Sequence, residues 1–149
     1  NIDLNITAKG TGRVTLGAGK IQQLAEKVTI AATGTTGTVN YDLITQAVLY
    51  HTTAAAGNFT VNVRGDSSTS LNSIMDTGES VTFAFLVTNT GTPYYQSAFQ
   101  ADGSSVTPEY QGGSAPSSGN ANSVDIYTYT VFKTGDAAFT AFASQTQFA

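Results

Sequence analysis

The chain has 149 residues and 15.4 kDa without a cysteine, which excludes a disulfide framework, a Cys-ligated zinc site, a thiol nucleophile and an iron–sulfur cluster. Only 11% of residues are charged and the net charge is -4, so binding of nucleic acid by phosphate neutralisation is not expected. With 40% hydrophobic residues there is enough for the core of one domain, and the abundance of Ser, Thr and Gly makes a surface of hydroxyls and amides rather than ions.

No basic stretch leading into an apolar one marks a signal peptide, and no apolar run approaches the length of a membrane span, so membrane insertion is not expected. The chain opens on Asn1 rather than Met and is expected to be a fragment or a processed product. Ile2, Leu4, Ile6 and Ala8 alternate with Asp3, Asn5, Thr7 and Lys9, the period of a half-buried strand. After the turn Gly10-Thr11-Gly12, Val14 and Leu16 continue the alternation up to Gly17-Ala18-Gly19. This opening segment is too poor in apolar residues for a core of its own and needs neighbours. Residues 20–26 fit a helical stripe or a strand, and a strand is expected from Lys27 onward.

Val39, Tyr41 and Leu43 alternate after the turn Gly34-Thr35-Thr36-Gly37. Ala47 to His51 is a short apolar run of the kind found in a strand covered on both faces. Phe59, Val61 and Val63 alternate with polar neighbours and predict an antiparallel strand. Over Ser70–Asp76 the spacing predicts a helical turn, capped by Ser68, Thr69 or Ser70, with Leu71, Ile74 and Met75 on one face and Gly78 in the left-handed position beyond it. Val81–Val87 is the strongest buried strand. Residues 102–123 form a long loop rich in Gly, Ser, Pro and Asn, and such a loop is functional or packs on a partner. Val124–Phe132 is a strand rich in β-branched and aromatic residues, and Gly135-Asp136 turns it into a last strand from Ala138. Short strands between turn signals, with no long helices among them, predict an all-β fold: an antiparallel, jelly-roll-like β-sandwich. Phe83, Phe85, Phe132, Phe139 and Phe142 are its expected core aromatics.

Little in the chain marks catalysis. His51, the only histidine, closes an apolar run and reads as a structural residue at a strand end. The carboxylates are isolated and mostly sit near turns, where Asp satisfies its own backbone. Ile21 follows Lys20, so Gly17-Ala18-Gly19-Lys20 lacks the phosphate-loop spacing. Asp66 and Asp76 do not make a calcium loop. No enzyme activity, metal or cofactor is expected. The tyrosines are more informative. Tyr94, Tyr95, Tyr110, Tyr127 and Tyr129 each carry an apolar ring and a polar tip, and in an extended Tyr94-Tyr95 pair one ring must face outward.

Asp3-Leu4-Asn5-Ile6 followed by Gly10-Thr11-Gly12-Arg13-Val14-Thr15-Leu16 resembles the strand-turn-strand units before the heads of tailed-bacteriophage fibres. Gly19-Lys20-Ile21-Gln22-Gln23-Leu24 is similar to the junction that often follows. Ser68–Ser73, Thr77–Thr82, Gln111–Pro116 and Ala143–Phe148 resemble C-terminal domains of virion structural proteins from tailed phages of marine bacteria, cyanophages in particular. The resemblance implies a fibre shaft remnant over 1–19 and a β-sandwich head over 20–149. It also implies a homotrimer that buries its shaft strands between three chains, location in the virion, and contact with other virion proteins and with a host-surface glycan or protein. No catalytic or ligand residues carry over from it. On that expectation Tyr94, Tyr95 and Tyr110, with the 102–123 loop, are the candidate receptor-binding residues of an adhesion module. The other reading is a capsid decoration, cement or tail structural protein with no receptor.

Overall fold

The computed structural model describes residues 24–148 together with Val14, Gly17 and Gln22. The expected shaft remnant, with its strand over Ile2–Ala8, lies outside the described residues except for Val14 and Gly17. The described chain is mostly strand: β1 (Val28–Ala31), β2 (Gly37–Asp42), β3 (Val48–His51), β4 (Phe59–Arg64), the helix α1 (Leu71–Ile74), β5 (Ser80–Thr88), β6 (Gln96–Ala101), β7 (Ser104–Ser105), β8 (Glu109–Tyr110), a 3-10 turn (Gln111–Gly113), β9 (Val124–Gly135) and β10 (Ala138–Phe148). They form two sheets. The larger runs β1-β3-β5-β9-β10-β8 and the smaller β2-β4-β6-β7.

Up to β6 the chain changes sheet with every strand. It therefore returns beside a strand it has already made, running the same way: β1, β3 and β5 are parallel, and so are β2, β4 and β6. Parallel neighbours need a long crossover, and the strand of the opposite sheet is that crossover. Val28 thus pairs with Val48, and Gly37 with Phe59, each one full circuit further along the chain. The antiparallel expectation holds for β5–β9, β9–β10 and β6–β7 and fails for the rest, including β4, which is parallel to both its neighbours. Alternation reports which faces a strand presents and says nothing of its direction.

The facing sides of the two sheets share one core. Tyr41 of β2 meets Phe83 of β5 with ring centres 4.3 Å apart, Phe59 of β4 meets Phe85 and Tyr127 edge-on at 5.5 and 5.7 Å, and Phe99 of β6 stacks on Tyr129 at 4.9 Å. Val61, Val63, Leu49, Val87, Val131 and Ala141 fill between them. Phe83 and Phe85 are core as expected, and Phe139 packs against it, but Phe132 and Phe142 are exposed, with their rings edge-on to each other at 5.7 Å. On β9 the inward phase is Tyr127, Tyr129 and Val131, so Phe132 faces outward, and its cross-strand neighbourhood carries Phe142 to the same side.

Helix α1 forms where the spacing places it. Ser70 is the cap, its Oγ accepting the Ser73 N–H at 3.1 Å, while Leu71 and Met75 are buried and Ile74 is half-buried. Gly78 follows at φ 92°, the left-handed position expected of it. Two contacts distant in sequence seat this single turn. The Asp102 carboxylate accepts the N–H groups of Leu71 (2.6 Å) and Asn72 (2.9 Å), and Lys133 Nζ donates to the carbonyls of Asn72 (2.6 Å) and Met75 (2.9 Å).

The outer faces differ. On the small sheet Asn62 Nδ2 donates to its register partner Asn40 at 2.8 Å, and Arg64 Nε meets Asp42 at 2.6 Å. On the large sheet Val28, Val48 and Ala84 make one row, and Ile30, Tyr50, Leu86 and Ile126 the next. Across β1, β3, β5, β9 and β10 this outer face holds no charged side chain.

Candidate binding groove

The 102–123 loop makes one wall of a groove of about 560 Å³ and the end of β10 makes the other. Tyr110, Gln111 and Ser114–Ser118 face Ala143–Gln147 across it. Backbone chemistry sets the loop's path. Gly112 and Gly113 both stand at φ 77°, a region glycine enters without strain, and they turn the chain away from β8. Gln145 Nε2 then donates to the Ser118 carbonyl at 3.0 Å and Asn120 Nδ2 to the Phe148 carbonyl at 3.0 Å, which tie the loop to β10.

Beneath the loop lies a buried polar node. The Asp125 carboxylate accepts Asn89 Nδ2 and the Asn120 N–H, each at 3.0 Å. Asn89 in turn holds Tyr94, donating to its carbonyl at 3.1 Å and accepting its N–H at 2.9 Å. Burial pushes the Asp125 carboxyl above its ordinary range, against the hydrogen bonds from Asn120 and Asn89 that favour its charged form. Gly119 threads this node so closely that a Cβ there would stand 2.3 Å from the Tyr94 carbonyl oxygen.

Of the three candidate tyrosines, Tyr110 alone borders the groove. It sits on β8, held in parallel beside Ala143 of β10, and its hydroxyl accepts a hydrogen bond from Gln96 Nε2 at 3.1 Å. Burial raises its pKa, opposed by the Gln96 contact. Tyr94 packs half-buried against the core next to the loop's base, and the Tyr95 N–H donates to Asn58 Oδ1 at 3.2 Å. The groove does not bring the three together. It also includes residues that the sequence reading did not place at a site: Ser144, Gln145, Thr146 and Gln147. Their signal was present in a strand that starts apolar and turns polar toward its end.

No charged residue lines this groove. It offers hydroxyls, side-chain amides, Pro116 and the Tyr110 ring, the donor, acceptor and apolar mixture that a neutral hydroxyl-rich ligand such as a saccharide complements. A larger groove of about 610 Å³ between the β2–β3 turn, α1 and the start of β5 is different in kind, lined by Leu43, Ile44, Ile74, Met75 and Val81 together with the charged Lys27 and Glu79. It holds none of the candidate residues.

His51 has the structural place its sequence context predicts. Its Nδ1 donates to the Thr33 carbonyl at 2.7 Å and its ring stands edge-on to Phe85 at 5.5 Å. Among the described residues no three His, Cys, Asp or Glu stand together as a metal-binding group, and no helix is long and apolar enough to cross a membrane. The chain matches no protein-family model, no curated protein and no solved structure.

Proposed function

We propose that this chain is the head of a tailed-phage tail fibre, a sandwich-like, non-enzymatic adhesion module of the virion that binds a host-surface glycan or protein as a homotrimer. One observation carries the reading: an uncharged groove, walled by hydroxyls, amides and Tyr110, in the loop that the sequence marks as functional or as packed on a partner. Tyr94 abuts Gly119 of the same loop through its carbonyl. The outer face of the large sheet, uncharged across β1, β3, β5, β9 and β10 and with Phe132, Phe142 and Phe148 exposed, supports contact with further copies. Three weak sites on one trimer would raise avidity without tight individual binding.

Ser117 is exposed and lines the groove, so Ser117→Trp fills it without touching the core. The expected result is host-cell binding reduced by about tenfold or more at an unchanged melting temperature, with smaller losses for Tyr94→Ala and Tyr95→Ala. Light scattering should give about three times 15.4 kDa. Unimpaired adsorption of Ser117→Trp would sink the site, and a solitary 15.4 kDa species would sink the trimer. The same outer face favours a second reading, a capsid decoration, cement or tail structural protein without a receptor. Capture of the isolated protein by empty capsids rather than by host cells would select it.

A further inference from the structure

The groove beside the loop does not end at Tyr110. A second groove, of about 430 Å³, opens on the outer face of the large sheet between Glu109, Thr128, Thr130 and Phe142. Tyr110, Gln111, Ala143 and Ser144 line both grooves, so the two adjoin where β8 meets β10. Strand register builds the second one. Glu109 of β8 pairs with Phe142 of β10, which pairs with Thr130 of β9, and Ser144 pairs with Thr128 in the next outward row. β8 stops at Tyr110, and beyond it the loop supplies the wall that faces β10. Along β10 the joined grooves reach from Phe142 to Gln147, roughly 17 Å at the rise of an extended strand. Either groove alone has the size of a small-ligand site.

The two halves differ in chemistry. The first offers amides and hydroxyls, and the second adds an aromatic ring and a carboxylate. Phe142 is 48% exposed. Phe132 stands edge-on to it at 5.7 Å from the side of Thr140, its register partner, and the groove opens on the other side, toward Ser144. The Thr130 hydroxyl is held by that of Thr82 at 3.0 Å, and Thr128 and Ser144 set two more hydroxyls in the next row. Glu109 is exposed and, among the described residues, is the one charged side chain that lines either groove. An exposed ring gives the apolar face of a sugar a surface to lie on, and a carboxylate accepts strong hydrogen bonds from hydroxyls while repelling anions. We propose that the two grooves are one cleft for an extended neutral oligosaccharide, several rings in a row, the far ring lying on Phe142 with its hydroxyls on Glu109. This rests on the reading of the first groove as a glycan site and narrows its ligand to a chain, rather than a single terminal sugar or an acidic one.

Inhibition of host-cell binding tests it, with neutral oligosaccharides cut from the host's surface polysaccharide and sorted by length as the probe. Inhibition per mole should rise about fivefold or more from the shortest fractions to the longer ones. Thr128→Trp, which fills the second groove, should abolish that rise and leave inhibition by the shortest fractions unchanged. Phe142→Ala truncates an exposed ring, so it keeps the fold, and it should remove most of the same rise. A rise with length that survives both variants overturns the proposal. So does equal inhibition by short and long fractions. A loss of binding in either variant that comes with a smaller particle mass also overturns it, because this face would then be a contact between copies. Failure of the first groove is distinct: no fraction inhibits and Ser117→Trp binds cells as before, which removes the glycan site and its extension together.

Discussion

Tyr129 lies flat between Phe83 and Phe99, with ring centres at 5.1 and 4.9 Å, and its buried hydroxyl has no hydrogen-bond partner among the described residues; the Tyr41 hydroxyl shares that condition. Tyr127, one alternation earlier on the same strand, differs. Its hydroxyl accepts the Gln96 N–H at 3.2 Å and Gln145 Nε2 at 3.1 Å. An unpaired buried hydroxyl carries a desolvation cost that its ring does not need, so Tyr129→Phe should stabilise the fold by about 1 kcal/mol. The check is a higher urea midpoint with an unchanged slope. A lower midpoint would mean the hydroxyl is satisfied after all. The phase of this strand was not legible in the sequence, because both phases of β9 hold apolar residues. Tyr127, Tyr129 and Val131 occupy one, and Val124, Ile126 and Phe132 the other. The phase that turns inward is the one that also buries Asp125 and Lys133, each compensated by its own hydrogen bonds at the sheet's two ends.

Elements that stand on a strong local pattern were legible: β4, β5, β9, β10 and the capped turn α1 all lie where alternation or capping places them. Strand direction was not, since parallel pairing joins residues a whole circuit apart that carry no mark of each other. β6 escaped notice because its inward residues are Gln96, Phe99 and Ala101, too mixed to show a period. The groove was half legible. Its loop stands out by composition, but its second wall is the polar end of β10, beyond the whole of β9 in the chain. That wall and the loop meet where Gln145 and Asn120 tie the loop to β10 and where Gly119 passes through the Asn89–Asp125 node. Gly119→Ala would set a methyl 2.3 Å from the Tyr94 carbonyl oxygen and 2.7 Å from Asn89 Nδ2. Relief requires the loop to lift, at a cost of about 1–3 kcal/mol in chemical denaturation. The groove should deform with it, so ligand binding is lost along with that stability; a variant of unchanged midpoint would refute the threading.

At the scale of the whole molecule the tyrosines set the alkaline limit. Burial raises the pKa of Tyr41, Tyr110, Tyr127 and Tyr129 above the ordinary 10.0. Their protonated forms are favoured by the fold, so the stability they contribute is complete below the unfolded value. Above about pH 10 the unfolded chain releases protons that the native one retains, and unfolding gains from each further rise in pH. The melting temperature should hold steady up to about pH 9 and fall beyond about pH 10, and a flat profile to about pH 11 would contradict the burial of these rings. The two ends of the stack behave differently from each other. On one side stand β1 and β2, the longer edge strands; on the other, β8 and β7 are the shortest in the fold. Strands so short give an incoming backbone almost nothing to hold. Among the described residues each sheet thus ends on one side in a two-residue stub, a blunt margin that meets a neighbour through side chains before backbone.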